Sequence, residues 1–179
     1  MSTRSLTAVV MMLIAVAGHT GSAAQETTNL GRPTTPAEVA GWDISIPPDG
    51  TGLPPGSGTP EQGTVVYAQK CQACHGAQGA GQPNDRLVGG QGTLASANPV
   101  RTIGSYWPYA TTVFDYIRRA MPYTQPQSLT NDEVYAVTAY LLHLNGLIGT
   151  QDVMNAHTLP QVKMPNRDHF LVVYPTQPK

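Results

Sequence analysis

Within five positions the chain places three side chains that could carry reactive chemistry. Cys71 and Cys74 are its two cysteines, and His75 follows directly, giving Cys71-Gln72-Ala73-Cys74-His75. Side chains three and four positions apart on a helix share one face. Two thiols so arranged can both add to the vinyl groups along one edge of a porphyrin, and a histidine four residues after Cys71 is carried beneath the ring to bind its iron. This C-x-x-C-H spacing is the attachment pattern of haem c, one group per motif. A disulfide between neighbours so close would close almost no loop and stabilise almost nothing, so the pair reads as chemical rather than structural.

Two other chemistries use paired thiols. A thioredoxin-like pair calls for a strand running into a helix within a βαβ pattern, which is not visible around Cys71. A structural zinc ion needs two more ligands, and His157 or His169 could supply them only from a loose tail.

Three helical segments stand ready to position the motif. The first begins at or just after Thr59, with Pro60 suited to a first turn and Glu61 where the helix dipole favours an anion, and runs through residues 65–68 into Cys71. A second is expected over about 109–120, where Val113, Phe114, Ile117 and Ala120 recur at steps of three and four, before Met121-Pro122 stops it. The clearest covers about 131–144, with Thr130 and Glu133 as a capping box, Val134, Val137, Leu141 and Leu144 as an apolar stripe, and Asn145-Gly146 as its end.

The rest is loop. Gly and Pro supply 18 and 16 positions of 179, charged residues only 12%, so long connections around a small core are expected and two domains are not. Residues 25–59 keep no apolar period and read as an extended arm, in which Trp42, Ile44 and Ile46 alternate as a packing anchor. The last thirty or so residues return to Pro-punctuated coil and end in Phe170-Leu171-Val172-Val173-Tyr174, a short strand or packed tail. No internal repeat is present. Residues 1–24 carry Arg4, an apolar run from Leu6 to Ala17 and the small residues Gly21-Ser22-Ala23-Ala24, which reads as a cleavable export signal. Its apolar run is well short of the ~20 residues that span a bilayer, and no spanning segment follows. A formal charge of −1 offers no cation excess for nucleic acid. The expected organisation is a signal over 1–24, an arm over 25–59, a haem domain over 60–148 and a second arm over 149–179.

With the motif at the end of a first helix, the chain resembles class I cytochromes c, which implies an all-α fold of three main helices around a covalently bound haem. The resemblance assigns the iron ligands to His75 and to Met121, which lies in the loop before the last helix; His143 is the rival. It gives Pro83 and Leu87 as the source of a carbonyl for the histidine and of an apolar cover for the ring. Arg101, Tyr106 and Trp107 fall where family members meet the haem propionates. Gly63, Tyr67 and Tyr140 match the close helix crossing of that fold. An iron with both axial sites filled passes electrons rather than binding substrate.

Longer stretches carry a narrower resemblance. Residues 41–50, 88–94, 103–112, 129–142 and 164–168 are similar to the SoxD family, the cytochrome subunits of sulfane dehydrogenases, and to cytochrome partners of related sulfite dehydrogenases. SoxD proteins typically hold two haems, whereas this sequence has a single motif. The resemblance implies a periplasmic electron-transfer subunit, not catalytic on its own. It would accept electrons from a molybdopterin-containing sulfane or sulfite dehydrogenase subunit and pass them to a soluble cytochrome or oxidase. The other expectation is a free periplasmic carrier with no dedicated dehydrogenase.

Overall fold

A computed structural model of the chain describes residues 31–171. The expected signal segment and residues 172–174 of the tail lie outside the described residues. Among the described residues, those up to Val39 and those from Ala40 onward fall in two compact units. In the first, Thr35 and Glu38 cap the start of α1 (Pro36–Trp42): Glu38 accepts the Thr35 backbone N–H at 2.8 Å, and Thr35 Oγ1 accepts that of Glu38 at 3.3 Å. Arg32 pairs with the same carboxylate and, with Thr35, holds it down to about 2. This helix replaces part of the expected extended arm, because the capping box organises a turn that the surrounding prolines and glycines obscure.

The second unit is built on α2 (Pro60–Lys70), the single turn α3 (Gln72–His75), α4 (Ala110–Ala120) and α5 (Asn131–Leu144). The three main helices fall where their sequence signals put them. Thr59 and Gln62 cap α2 reciprocally, as Thr130 and Glu133 cap α5, so each helix start satisfies backbone donors that would otherwise be orphaned. The apolar faces meet in a core of Val113, Phe114, Ile117, Val134, Tyr135, Val137, Leu141 and Leu142, all buried. Phe114 and Tyr135 lie ring against ring, their centroids 4.4 Å apart.

Helices α2 and α5 cross at backbone distance. A Cβ built on Gly63 would stand 2.0 Å from the Ala136 carbonyl oxygen and 2.6 Å from Tyr140 Cβ. One turn on, the Tyr67 and Tyr140 rings pack at 5.3 Å. Glycine is required at this crossing for lack of space rather than for its backbone angles.

Much of the N-terminal arm is fastened to the helices. The Ile46 N–H donates to the buried Asp115 carboxylate at 2.9 Å, and Ile46 itself is buried. Arg119 donates to the same carboxylate. Further along, Arg118 donates to the Ile44 carbonyl, Thr111 to that of Pro48, Tyr135 to that of Pro54 and Asn131 to that of Pro55. Of the expected alternating anchor, Ile46 packs inward while Trp42 is 88% exposed. The later segments close the same core: β1 (Ser57–Gly58) pairs antiparallel with β2 (Met154–Asn155), in register Ser57 to Asn155. Met154, Leu159 and Met164 are buried in the core.

Replacing Gly63 by Ala should separate α2 from α5 and cost roughly 3 kcal/mol, lowering the thermal midpoint by about 10 °C. Gly41→Ala, with nothing within 4 Å of the new methyl, should leave the midpoint nearly unchanged. Scanning calorimetry of the two variants checks the difference.

Candidate haem-binding site

The motif sits where α2 gives way to a single helical turn. Cys71 ends α2 by donating its N–H to the Tyr67 carbonyl at 2.9 Å, with backbone angles that leave the helix. Its own carbonyl then accepts from Cys74 at 3.1 Å and His75 at 3.0 Å. That turn ties Cys71 to Cys74 and His75 through the main chain. The chain leaves through Gly76 at φ 73, where a Cβ would meet the Gly81 carbonyl oxygen at 2.3 Å. Tyr67 donates its hydroxyl to the Gly76 carbonyl at 2.8 Å, tying the end of the motif back to α2.

No disulfide joins the two cysteines; Cys71 is half-buried and Cys74 exposed. Burial, with a smaller push from Cys74, raises the Cys71 thiol to about 11. His75 places Nδ1 at 2.9 Å from the Asp85 carbonyl. A carbonyl only accepts, so Nδ1 carries the proton and Nε2 keeps its lone pair for a metal.

The carbonyl that fixes the imidazole is therefore that of Asp85 and not that of Pro83. The loop folds back on the motif: Gly81 N–H donates to the His75 carbonyl, Asn84 N–H to that of Cys74 and Gln82 N–H to that of Asn84, each at 2.8 Å. This pairing carries Pro83 out to the exposed bend and brings Asp85 beside the ring. Leu87 is half-buried against the core, as a cover residue would be.

Half-buried apolar side chains from separate segments border the core: Val66 and Cys71 from α2 and its end, Leu87 and Trp107 from the long loop, Met121 after α4, and Leu129 and Tyr140. Met121 follows α4 in extended conformation, its N–H held by the Ile117 carbonyl at 3.0 Å. Of the other candidates, His143 sets Nδ1 3.2 Å from the Ile148 carbonyl at the end of α5. Met154 and Met164 are packing residues. Among the described residues no three His, Cys, Asp or Glu side chains gather as an ion site, so His157 and His169 do not join the cysteines. Arg101 lies over the Tyr106 ring at 5.6 Å, and Trp107 meets Tyr116 edge-on at 5.7 Å.

Asn145, a helix stop by its place in the sequence, is a hub in the fold. Its amide nitrogen donates to the Leu141 and Leu87 carbonyls at 2.8 and 3.2 Å, and its oxygen accepts the Gly89 N–H at 3.0 Å. It thereby ties the loop bearing Leu87 to the end of α5. Its placement directly before Gly146 was the available signal, and it pointed to a cap rather than to a loop clamp.

Two thiols and an imidazole with one nitrogen committed to a carbonyl, beside a half-buried apolar border, are residues that fit haem c. Fold and site together define a class I c-type cytochrome. Comparison with known proteins agrees. Residues 58–141 match the family model described as cytochrome c oxidase, cbb3-type, subunit III. The solved sulfane dehydrogenase SoxCD of Paracoccus pantotrophus is similar at 43% identity and a TM-score of 0.76, over 83% of this chain and 72% of that one. A thiosulfate dehydrogenase of Psychrobacter arcticus is 30% identical over 112 residues, 56% of this chain and 32% of the relative. The chain thus spans about a third of the length of that curated relative. It belongs to the SoxD-like family of c-type cytochromes.

Burial pushes the Tyr67 hydroxyl up to about 12, above the ordinary ~10 of tyrosine. The fold therefore favours the protonated hydroxyl: its contribution is complete below pH ~10 and is lost as pH rises through about 12. Tyr67→Phe should cost about 1 kcal/mol at neutral pH through the lost hydrogen bond. Its stability should also fall less steeply than that of the parent between pH ~10 and ~12, as denaturant melts across that range will read.

Proposed function

We propose that this chain is a periplasmic monohaem cytochrome that accepts electrons from a molybdenum sulfane or sulfite dehydrogenase subunit and passes them to a soluble cytochrome or oxidase. The observation that carries the reading is the likeness to SoxCD at 43% identity over 83% of the chain, joined to one C-x-x-C-H motif. In this reading Cys71 and Cys74 would hold the haem through thioethers, and His75 Nε2 and the Met121 sulfur would bind its iron. The bound group supplies reversible one-electron exchange.

The chain's own residues prepare that site. Asp85 holds the imidazole in the tautomer that presents Nε2. Leu87 and Trp107 shield one border from water, and the Asn145 clamp keeps the Leu87 loop closed on α5. Were His75 and Met121 both to ligate the iron, no position would be left for substrate, so the substrate chemistry would belong to the partner. Among the described residues no helix is long and apolar enough to cross a membrane.

Two outcomes are expected. The oxidised protein should show a methionine-to-iron charge-transfer band that disappears in Met121→Ala, with a lowered reduction potential; persistence of the band in that variant would contradict the assignment. Sulfite or thiosulfate should leave the purified chain oxidised but reduce it in the complex isolated from its native host. Reduction of the chain alone would place the chemistry here instead of in the partner.

A further inference from the structure

Residues 85–89 run between the loop after the motif and the end of α5, and they are held from both sides. On the motif side the Asp85 carbonyl meets His75 Nδ1 at 2.9 Å, and the Leu87 N–H donates to the Gly79 carbonyl at 2.9 Å. Arg86 adds a bond from Nε to the Ala80 carbonyl at 3.2 Å. On the other side the Leu87 carbonyl accepts from Asn145 Nδ2 at 3.2 Å and from the Ile103 N–H at 3.3 Å. Gly89 is held at both backbone groups: its N–H donates to Asn145 Oδ1 at 3.0 Å, and its carbonyl accepts from Thr102 Oγ1.

Asn145 and Thr102 are both buried, so bonds lost here are not readily replaced by water. A carboxamide carries two donor hydrogens and an acceptor oxygen. Asn145 commits one hydrogen to Leu87, the other to the Leu141 carbonyl at 2.8 Å, and its oxygen to Gly89. The turn over 102–105 closes against the same group, where a Cβ on Gly104 would stand 2.3 Å from Asn145 Oδ1. Aspartate has the same shape but, when ionised, offers no donor.

Asp85 and Leu87 are two residues apart, at most about 7 Å along the chain, so a shift of the Leu87 backbone is felt at the Asp85 carbonyl. That carbonyl is what His75 Nδ1 meets. An imidazole that loses its Nδ1 acceptor is free to turn and to exchange tautomers. One held at Nδ1 keeps the lone pair on Nε2 and one orientation of the ring.

We propose that Asn145 is a positioning residue for His75: by fixing Leu87 and Gly89 to the end of α5 it holds the Asp85 carbonyl on Nδ1, so that the ring keeps one tautomer and one orientation. The inference rests on the function proposed above, in which His75 Nε2 would bind the haem iron. Helix α5 then reaches the histidine by two routes, through its crossing with α2 at Gly63 and through the Asn145 amide at its end.

The test follows, by heteronuclear NMR of the reduced, haem-loaded full chain, solvent exchange of the His75 Nδ1 proton and of the Leu87 and Gly89 amide protons. In the parent all three should exchange through one local opening, with the same dependence on mild denaturant. Asn145→Ala should speed all three about tenfold. Asn145→Asp, which keeps an acceptor for Gly89 but no donor for Leu87, should speed the Nδ1 proton as much as Ala does. Tyr135→Phe, which loses a bond to the Pro54 carbonyl, should lower global stability and leave Nδ1 exchange at the parent rate. Four results would overturn the proposal: separate openings for the Nδ1 proton and the Leu87 amide in the parent, Nδ1 exchange unchanged in Asn145→Ala, slow Nδ1 exchange retained in Asn145→Asp, or equal acceleration in Tyr135→Phe. The parent measurement needs no variant, so it decides even where a variant does not fold. A chain without haem, or an iron that His75 does not bind, would instead strike the proposed function, and exchange at His75, Leu87 and Gly89 would still decide the clamp.

Discussion

Two helices can approach backbone to backbone only where no side chain stands between them, and here that place is Gly63 of α2 beneath Ala136 of α5. A Cβ at Gly63 would lie 2.0 Å from the Ala136 carbonyl oxygen, a separation that no rotamer change relieves. The crossing fixes the direction of α2, and the Cys71-to-His75 turn continues from its end. Tyr67 extends the arrangement, its ring against Tyr140 and its hydroxyl on the Gly76 carbonyl. The helix that closes the core thus also sets the start of the Cys71-to-His75 turn, whose residues are proposed to bind the haem.

The apparent excess of loop has a related explanation. A domain of this size buries a modest apolar area and needs support from outside its helices. Ile46 enters the core on a hydrogen bond to the buried Asp115 carboxylate, while Met154, Leu159 and Met164 enter from the other end of the chain. The two flanking segments meet in the short ladder of Ser57–Gly58 with Met154–Asn155. Much of what reads as arm in the sequence is therefore core lining.

The helices α2, α4 and α5 were legible because their signals are local: reciprocal caps at Thr59 and Thr130, apolar residues at helical steps, and a proline after Met121. The C-x-x-C-H motif is readable for the same reason, its residues being adjacent in the sequence. What escaped depends on distance or on backbone. Any residue can offer a carbonyl, so nothing in the sequence distinguishes Asp85 from Pro83 as the partner of His75; the fold of the Gly81-to-Asn84 loop decides it. Asn145 reads as a helix stop because its bonds to Leu87 and Gly89 span more than fifty residues. The cap of α1 at Thr35 and Glu38 was hidden in a stretch whose prolines and glycines suggest coil.

The central claim is that one haem is held covalently by Cys71 and Cys74 within this frame. Intact-mass spectrometry of the protein purified from an exporting host, under denaturing acid, tests it most directly. The account predicts the mass of residues 25–179 plus one haem, with the addition lost when both cysteines are changed to Ser. A chain bearing no added mass in acid, or one that keeps the addition in the double Ser variant, would contradict it.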